Sequence, residues 1–320
     1  MMNDLLIEKF SIELDNGNLF FKSFSPKNIL FPTPIICIHG LTGNLLSFER
    51  VASFLAERGH KVYTYDLRGR GGSSKEEIPY SAESHSLDLK KALEKFSENK
   101  FQIIGHSLGA WVGLYFAKEF PWLVDKLVLI DGAGITDLQN KWTNLQMVRA
   151  SLERIGKSFT SPEDYFQHAK QSKLVEQWNK DLESLLRYEL VKVDKSWHCN
   201  IPKFVAESEL QSLGGSITNR GLLQLIFFHF TTWLSVIKKN KNLPYQDILA
   251  STLIIRALKP TLKGTKPLVS DKSLSTMLRK IPLSRSISIP DKNHYGILLD
   301  SCPTRDIELA KFLENESILK

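Results

Sequence analysis

Lys100-Phe101-Gln102-Ile103-Ile104-Gly105-His106-Ser107-Leu108-Gly109-Ala110-Trp111-Val112-Gly113-Leu114 decides the fold. It reads as a short apolar strand, a sharp turn bracketed by glycines, and the start of a helix. Ser107 stands at the apex of the pattern Gly105-x-Ser107-x-Gly109, in which a nucleophilic serine is held on a strained strand-to-helix turn. Side chains at positions 105 and 109 would collide with the adjoining strand or helix, so both must be glycine. The helix that follows points the positive end of its dipole at the same place, which suits a developing oxyanion.

Outward from this stretch, further buried strands are expected at residues 34–40, 61–65 and 126–130, and again at 252–256 and 286–289. Helical patterns separate them at 47–58, 83–97, 271–280 and 304–314. Ahead of these, residues 5–14 and 19–24 flank Asp15-Asn16-Gly17-Asn18 and predict a β-hairpin. Strands alternating with helices imply an α/β fold with a mostly parallel sheet covered on both faces. Ligands bind such sheets beyond the carboxyl ends of the strands. His39-Gly40, Asp66, Ser107 and Asp131 all fall there.

The rhythm breaks after Asp131. Residues 137–245 show helical periodicity, no buried strand, and many aromatics: Trp142, Phe159, Tyr165, Phe166, Trp178, Tyr188, Trp197, Phe227, Phe228, Phe230 and Trp233. The expectation is a helical cap at 137–245, interrupting a core formed by 1–136 and 246–320. Most of the aromatics should form the cap's own core, with a minority lining an apolar pocket.

Composition fits this picture. The 320 residues are 42% hydrophobic and 24% charged, an ordinary globular balance. The N-terminus carries no basic and apolar signal pattern, and no apolar run approaches the ~20 residues of a membrane span. Cys37, Cys199 and Cys302 are scattered and odd in number, so reduced thiols in a cytoplasmic protein are expected. The net charge of +7 is concentrated late: residues 251–301 hold nine Lys or Arg against three Asp. Without a binding motif, this reads as a solvated basic face rather than a nucleic-acid site.

A serine hydroxyl needs an adjacent base. Among eight histidines, His294 follows the last strand on the face where Ser107 emerges, and is the expected base. His106 should point away from Ser107, and His39 should shape the loop after the third strand. An oxyanion requires two backbone N–H donors; Leu108, after the nucleophile, and Leu41, in that loop, are the candidates. No metal or organic cofactor is implied.

These residues resemble the α/β-hydrolase superfamily, in particular its cap-bearing serine esterase and lipase-like branch. The resemblance covers residues 35–135 and 252–312. Four motifs carry it: His39-Gly40, Asp66-Leu67-Arg68-Gly69-Arg70-Gly71-Gly72-Ser73, Gly105-His106-Ser107-Leu108-Gly109 and Asn293-His294-Tyr295-Gly296. It implies an eight-stranded sheet with a helical cap inserted after the sixth strand, and a Ser/His/acid triad. The family usually places the acid just after the strand ending near Arg256, where this chain has Ala257-Leu258-Lys259-Pro260-Thr261-Leu262-Lys263. Some members carry the acid one strand earlier, which here is Asp131. Asp271 in the later loop, or a Ser/His dyad, are the alternatives. The implied substrate is a small carboxylic ester with an apolar moiety, and Lys259, Lys263, Lys266 and Lys272 suggest an anionic group on it. A C–C bond hydrolase keeps the same triad; a non-catalytic small-molecule receptor is the competing class. Epoxide hydrolases and haloalkane dehalogenases use an Asp where this chain has Ser107. The sequence leaves oligomeric state open.

Overall fold

Period-two packing of apolar residues builds the sheet. In the strand Phe31–Ile38 (β3), Ile36 and Ile38 face one hydrophobic layer, while Ile35 and Cys37 face the other. Phe101–His106 (β5) divides Ile103 from Ile104 in the same way, and Val124–Ile130 (β6) divides Leu127 and Leu129 from Val128 and Ile130. A strand apolar on both sides is stable only between two layers of helices. Each fully buried Ile or Leu contributes about 1.5–3 kcal/mol relative to exposure.

The structure is a computed structural model that describes residues 5–135, 147, 150–172, 177–212, 243–262 and 265–315. Lys263, Trp142, Phe227, Phe228, Phe230 and Trp233 lie outside the described residues. The expected hairpin is Leu5–Leu14 (β1) and Gly17–Pro26 (β2), paired antiparallel through a two-residue turn with Leu14 opposite Gly17. With His60–Tyr65 (β4), Ser251–Ala257 (β10) and Ser284–Ile289 (β11), these strands form one eight-stranded sheet in the order β1-β2-β4-β3-β5-β6-β10-β11. The pairs β1–β2 and β2–β4 are antiparallel and the others parallel. Helices Glu49–Glu57 (α1) and Pro303–Glu314 (α9) contribute Val51, Leu55, Leu309 and Phe312 to one layer. Ala82–Leu93 (α2), Leu108–Glu119 (α3) and Asp271–Lys280 (α7) contribute Leu89, Phe116 and Met277 to the other.

From β3 the chain moves outward to β4, then returns to β5 on the other side of β3. This reversal opens a crevice between the carboxyl ends of β3 and β5, the place where such sheets bind ligands. Ser107 and the loop after Ile38 meet there.

The segment between β6 and β10 departs from the purely helical expectation. Among its described residues are the helices Pro162–Gln171 (α4), Lys180–Tyr188 (α5) and Lys203–Ser212 (α6). It also holds three short antiparallel strands, Ser158–Phe159 (β7), Leu190–Val193 (β8) and Ser196–Cys199 (β9), in the order β7-β9-β8. The β8–β9 turn places Asp194 at a φ of 53°, a conformation Asp tolerates better than most residues. Phe159, Tyr165 and Phe166 are buried with Leu185 and Val205 in a cluster that also takes in Tyr80 from outside the segment.

Candidate active site

Ser107 sits between β5 and α3 with φ 55° and ψ −114°, a backbone state that costs roughly 1–3 kcal/mol for a residue with a side chain. Its N–H donates to the Ile130 carbonyl at 3.0 Å, tying the turn to the end of β6. A Cβ at Gly105 would lie 2.1 Å from the Gly109 carbonyl oxygen, and one at Gly109 would lie 2.0 Å from that of Ile38. The two glycines let strand, turn and helix close on one another, which lifts the serine hydroxyl clear of the sheet.

His294 lies in the loop between β11 and the short helix Gly296–Leu299 (α8). The buried Asn293 side chain accepts from the N–H groups of Tyr295 (3.1 Å) and Gly296 (2.7 Å), shaping that loop. His106 donates from Nε2 to the His294 carbonyl at 2.8 Å, and the two rings lie 4.6 Å apart. His106 thus turns away from Ser107 and anchors the backbone of its imidazole neighbour. Burial and the adjacent His294 push His106 well below the ordinary imidazole range, so it remains neutral.

The His294 side chain bridges two partners. Its Nε2 lies 3.0 Å from Ser107 Oγ, and its Nδ1 lies 2.7 Å from Asp131 Oδ2. Asp131 is 1% exposed and takes a φ of 41° directly after β6. Its N–H donates to the Ile255 carbonyl at 2.7 Å, and its Oδ1 accepts from the Ala257 N–H at 3.2 Å. The carboxylate therefore reaches across to the end of β10. Asp271 is not brought to this cluster: it opens α7, pairs with Arg256 at 2.6 Å, and its side chain is 93% exposed. Lys259, Lys266 and Lys272 are exposed.

Leu108 opens α3, so its N–H lies in the first helical turn, where no intrahelical acceptor exists. Across the crevice, the His39 ring fixes the loop after β3. It donates from Nδ1 to the Gly40 carbonyl at 2.7 Å and accepts at Nε2 from the Leu67 N–H at 3.0 Å. Burial, reinforced by the Arg70 charge, pushes His39 down to about 3, which keeps this neutral tautomer in place. The Gly40 carbonyl also accepts from the Gly43 N–H at 3.1 Å. Because a peptide group is planar and trans, holding the Gly40 oxygen sets the opposite direction for the Leu41 N–H.

Asp66 was expected at a strand end, but the partners of the polar residues around it were not legible in the sequence. Asp66 accepts from the N–H groups of Leu45 and Gly72 (both 2.8 Å) and from the Tyr188 hydroxyl of α5 at 2.7 Å. Burial raises its carboxyl, against the opposing pull of these donors. His85 donates to Glu209 of α6 at 2.7 Å. Arg154 donates to the Thr42 carbonyl at 3.0 Å and pairs with Glu189 at 2.7 Å. Among the described residues there is no cluster of three or more His, Cys, Asp or Glu able to hold a metal ion, and no helix is long and apolar enough to cross a membrane.

A family profile described as the alpha/beta hydrolase fold matches residues 33–301, and the chain belongs to that family. The structure is similar over 97% of this chain, at a TM-score of 0.74 and 16% identity, to all of the crystal structure of E-2-(acetamidomethylene)succinate hydrolase. In sequence, it is 31% identical over 128 residues to the serine hydrolase-like protein of Homo sapiens, covering 39% of this chain and 61% of that one. It is also 36% identical over 102 residues to an uncharacterized protein of Mycobacterium tuberculosis, covering 32% of this chain and 30% of the other. The chain thus spans less than two thirds of the length of these relatives.

Proposed function

We propose that the chain is a serine hydrolase acting on a small carboxylic ester with an apolar moiety, with Ser107, His294 and Asp131 as its triad. The unbroken path from Ser107 Oγ through His294 to Asp131, at 3.0 and 2.7 Å, carries this reading. Likeness to a serine hydrolase-like protein supports the same class. Residues 137–245 act as a cap over a core formed by 1–136 and 246–320. The aromatic content of that cap supports the apolar part of the substrate, and three buried free thiols fit a cytoplasmic setting.

In the reaction, Ser107 Oγ attacks the ester carbonyl while its proton passes to His294 Nε2. Asp131 holds the proton on Nδ1 and stabilises the imidazolium. The carbonyl oxygen, now anionic, receives the N–H groups of Leu41 and Leu108. As the C–O bond breaks, His294 returns its proton to the leaving alcohol, giving an acyl-Ser107 ester. Water then attacks this ester, losing its proton to His294, and the acid departs with Ser107 restored.

Hydrolysis of p-nitrophenyl esters from acetate to decanoate, by wild type and Ser107→Ala, tests the proposal. Turnover that rises with acyl length to an optimum and vanishes in Ser107→Ala supports it. Absence of turnover at every length contradicts the ester reading. Turnover that survives in Ser107→Ala contradicts the nucleophile.

A further inference from the structure

The loop that offers the Leu41 N–H is gripped from its far side by a buried ion pair whose acid comes from the inserted segment. Arg70 lies between β4 and α2, and its side chain is 1% exposed. A guanidinium has five N–H donors in a rigid plane. Here all five have acceptors. Nε and Nη2 donate to the Leu41 carbonyl at 3.2 and 2.7 Å. Nη1 donates to the Arg68 carbonyl at 3.0 Å and to Glu209 Oε1 at 2.6 Å, and Nη2 also meets Glu209 Oε2. Glu209 is fully buried on α6, and its Oε1 takes a further bond from His85. Burial works to raise the Glu209 carboxyl, but the Arg70 charge and the bonds from His85 and Arg70 hold it below its ordinary value.

We propose that Glu209 is a positioning residue for catalysis: through Arg70 it locks the Leu41 carbonyl, and with it the orientation of the Leu41 N–H toward the oxyanion. This rests on the serine hydrolase reading of Ser107. His39 fixes the peptide plane before Leu41, and Arg70 fixes the plane after it, so both dihedrals of Leu41 are held. An isolated guanidinium at this depth would be strongly disfavoured; the carboxylate of α6 is what lets the charge remain. The inserted segment is therefore part of the oxyanion machinery as well as a cover for it. Arg154 makes a parallel grip on the next carbonyl, that of Thr42, and is neutralised by Glu189 of the same segment.

The test compares wild type, Glu209→Gln, Arg70→Met/Glu209→Leu and Arg50→Ala with p-nitrophenyl butyrate and a matching trifluoromethyl ketone. The ketone forms a tetrahedral oxyanion on Ser107 and so reports directly on the oxyanion donors. Glu209→Gln is expected to lower kcat by about 10- to 100-fold with KM within about twofold, and to weaken the ketone by a similar factor. The double variant removes the buried charge together with the grip, and decides the matter should Glu209→Gln not fold. It is expected to keep the low kcat. Arg50→Ala breaks a different link between core and inserted segment, the 2.5 Å bridge to Asp181, and should leave both readouts near wild type. A folded Glu209→Gln with unchanged kcat and ketone affinity overturns the proposal, as does a double variant with wild-type kcat, or an equal loss in Arg50→Ala. In each of those cases an active wild type leaves the hydrolase reading intact. A wild type that neither turns over nor binds the ketone refutes that reading, and this proposal with it.

Discussion

Replacing Asp131 by Asn probes the hydrogen-bonded path at its most constrained point. Two donors converge on the carboxylate, the Nδ1–H of His294 at 2.7 Å and the backbone N–H of Ala257 at 3.2 Å. An amide has one oxygen, so one of these donors must face its NH2 group. If the NH2 faces His294, Nδ1 must become the acceptor and the proton moves to Nε2, where it blocks removal of the Ser107 proton. If the NH2 faces Ala257, two buried donors oppose each other, at a cost of about 1–3 kcal/mol. The site is 1% exposed, so water does not relieve the conflict. The first arrangement avoids the clash and should dominate. Loss of the correct tautomer then lowers kcat by roughly 10³–10⁴-fold, or about 4–5 kcal/mol in the barrier. Steady-state turnover of p-nitrophenyl butyrate at neutral pH measures this, with thermal unfolding as the check on folding. Asp271→Asn serves as the comparison and should remain within about twofold of wild type. An Asp131→Asn enzyme that is folded and retains a tenth or more of its activity would refute the reasoning.

Gly109→Ala sets a Cβ 2.0 Å from the Ile38 carbonyl and should destabilise the chain by more than about 2 kcal/mol, seen as a lower midpoint in urea. Acid should destabilise the fold before its carboxylates titrate. Burial lowers His60 from 6.5 to about 4 and His39 to about 3, so below 6.5 the unfolded chain takes up protons that the native chain refuses. Stability present above pH 6.5 is lost as pH falls through that window, by about 3 kcal/mol for His60 alone; a flat unfolding midpoint from pH 7 to 5 would contradict this. Cys37, Cys199 and Cys302 are buried, with burial raising the first thiol and pushing the second up to about 12. A disulfide reagent should therefore leave the native chain unmodified at mildly alkaline pH and titrate three thiols after denaturation.

The sheet was legible because its signal is local. Runs such as 35–38 and 103–104 are apolar at both parities, a pattern that only a doubly covered strand satisfies. The Ser107 turn was legible for the same reason: strand, glycines and helix are contiguous. The choice between Asp131 and Asp271 was open in the sequence because it depends on which strands are neighbours. In the structure β6 pairs with β10, which sets Asp131 beside Ala257, while Asp271 pairs with Arg256. The Arg70–Glu209 pair lies 139 residues apart, and a glutamate on a short helix reads as a solvated face. No local period announces such a contact. The β8–β9 hairpin did leave a trace, the alternation of Val191, Val193 and Trp197 around Asp194-Lys195, but its strands are four residues each and sit within a helical rhythm.

Covalent capture of the nucleophile tests the serine mechanism most directly. Native chain incubated with a fluorophosphonate, digested and mapped by mass spectrometry should carry one adduct, on Ser107, formed far more slowly in His294→Ala and Asp131→Asn. Absence of an adduct on Ser107 in the folded wild-type chain, or labelling at the same rate when His294 is removed, would contradict an activated serine at this site.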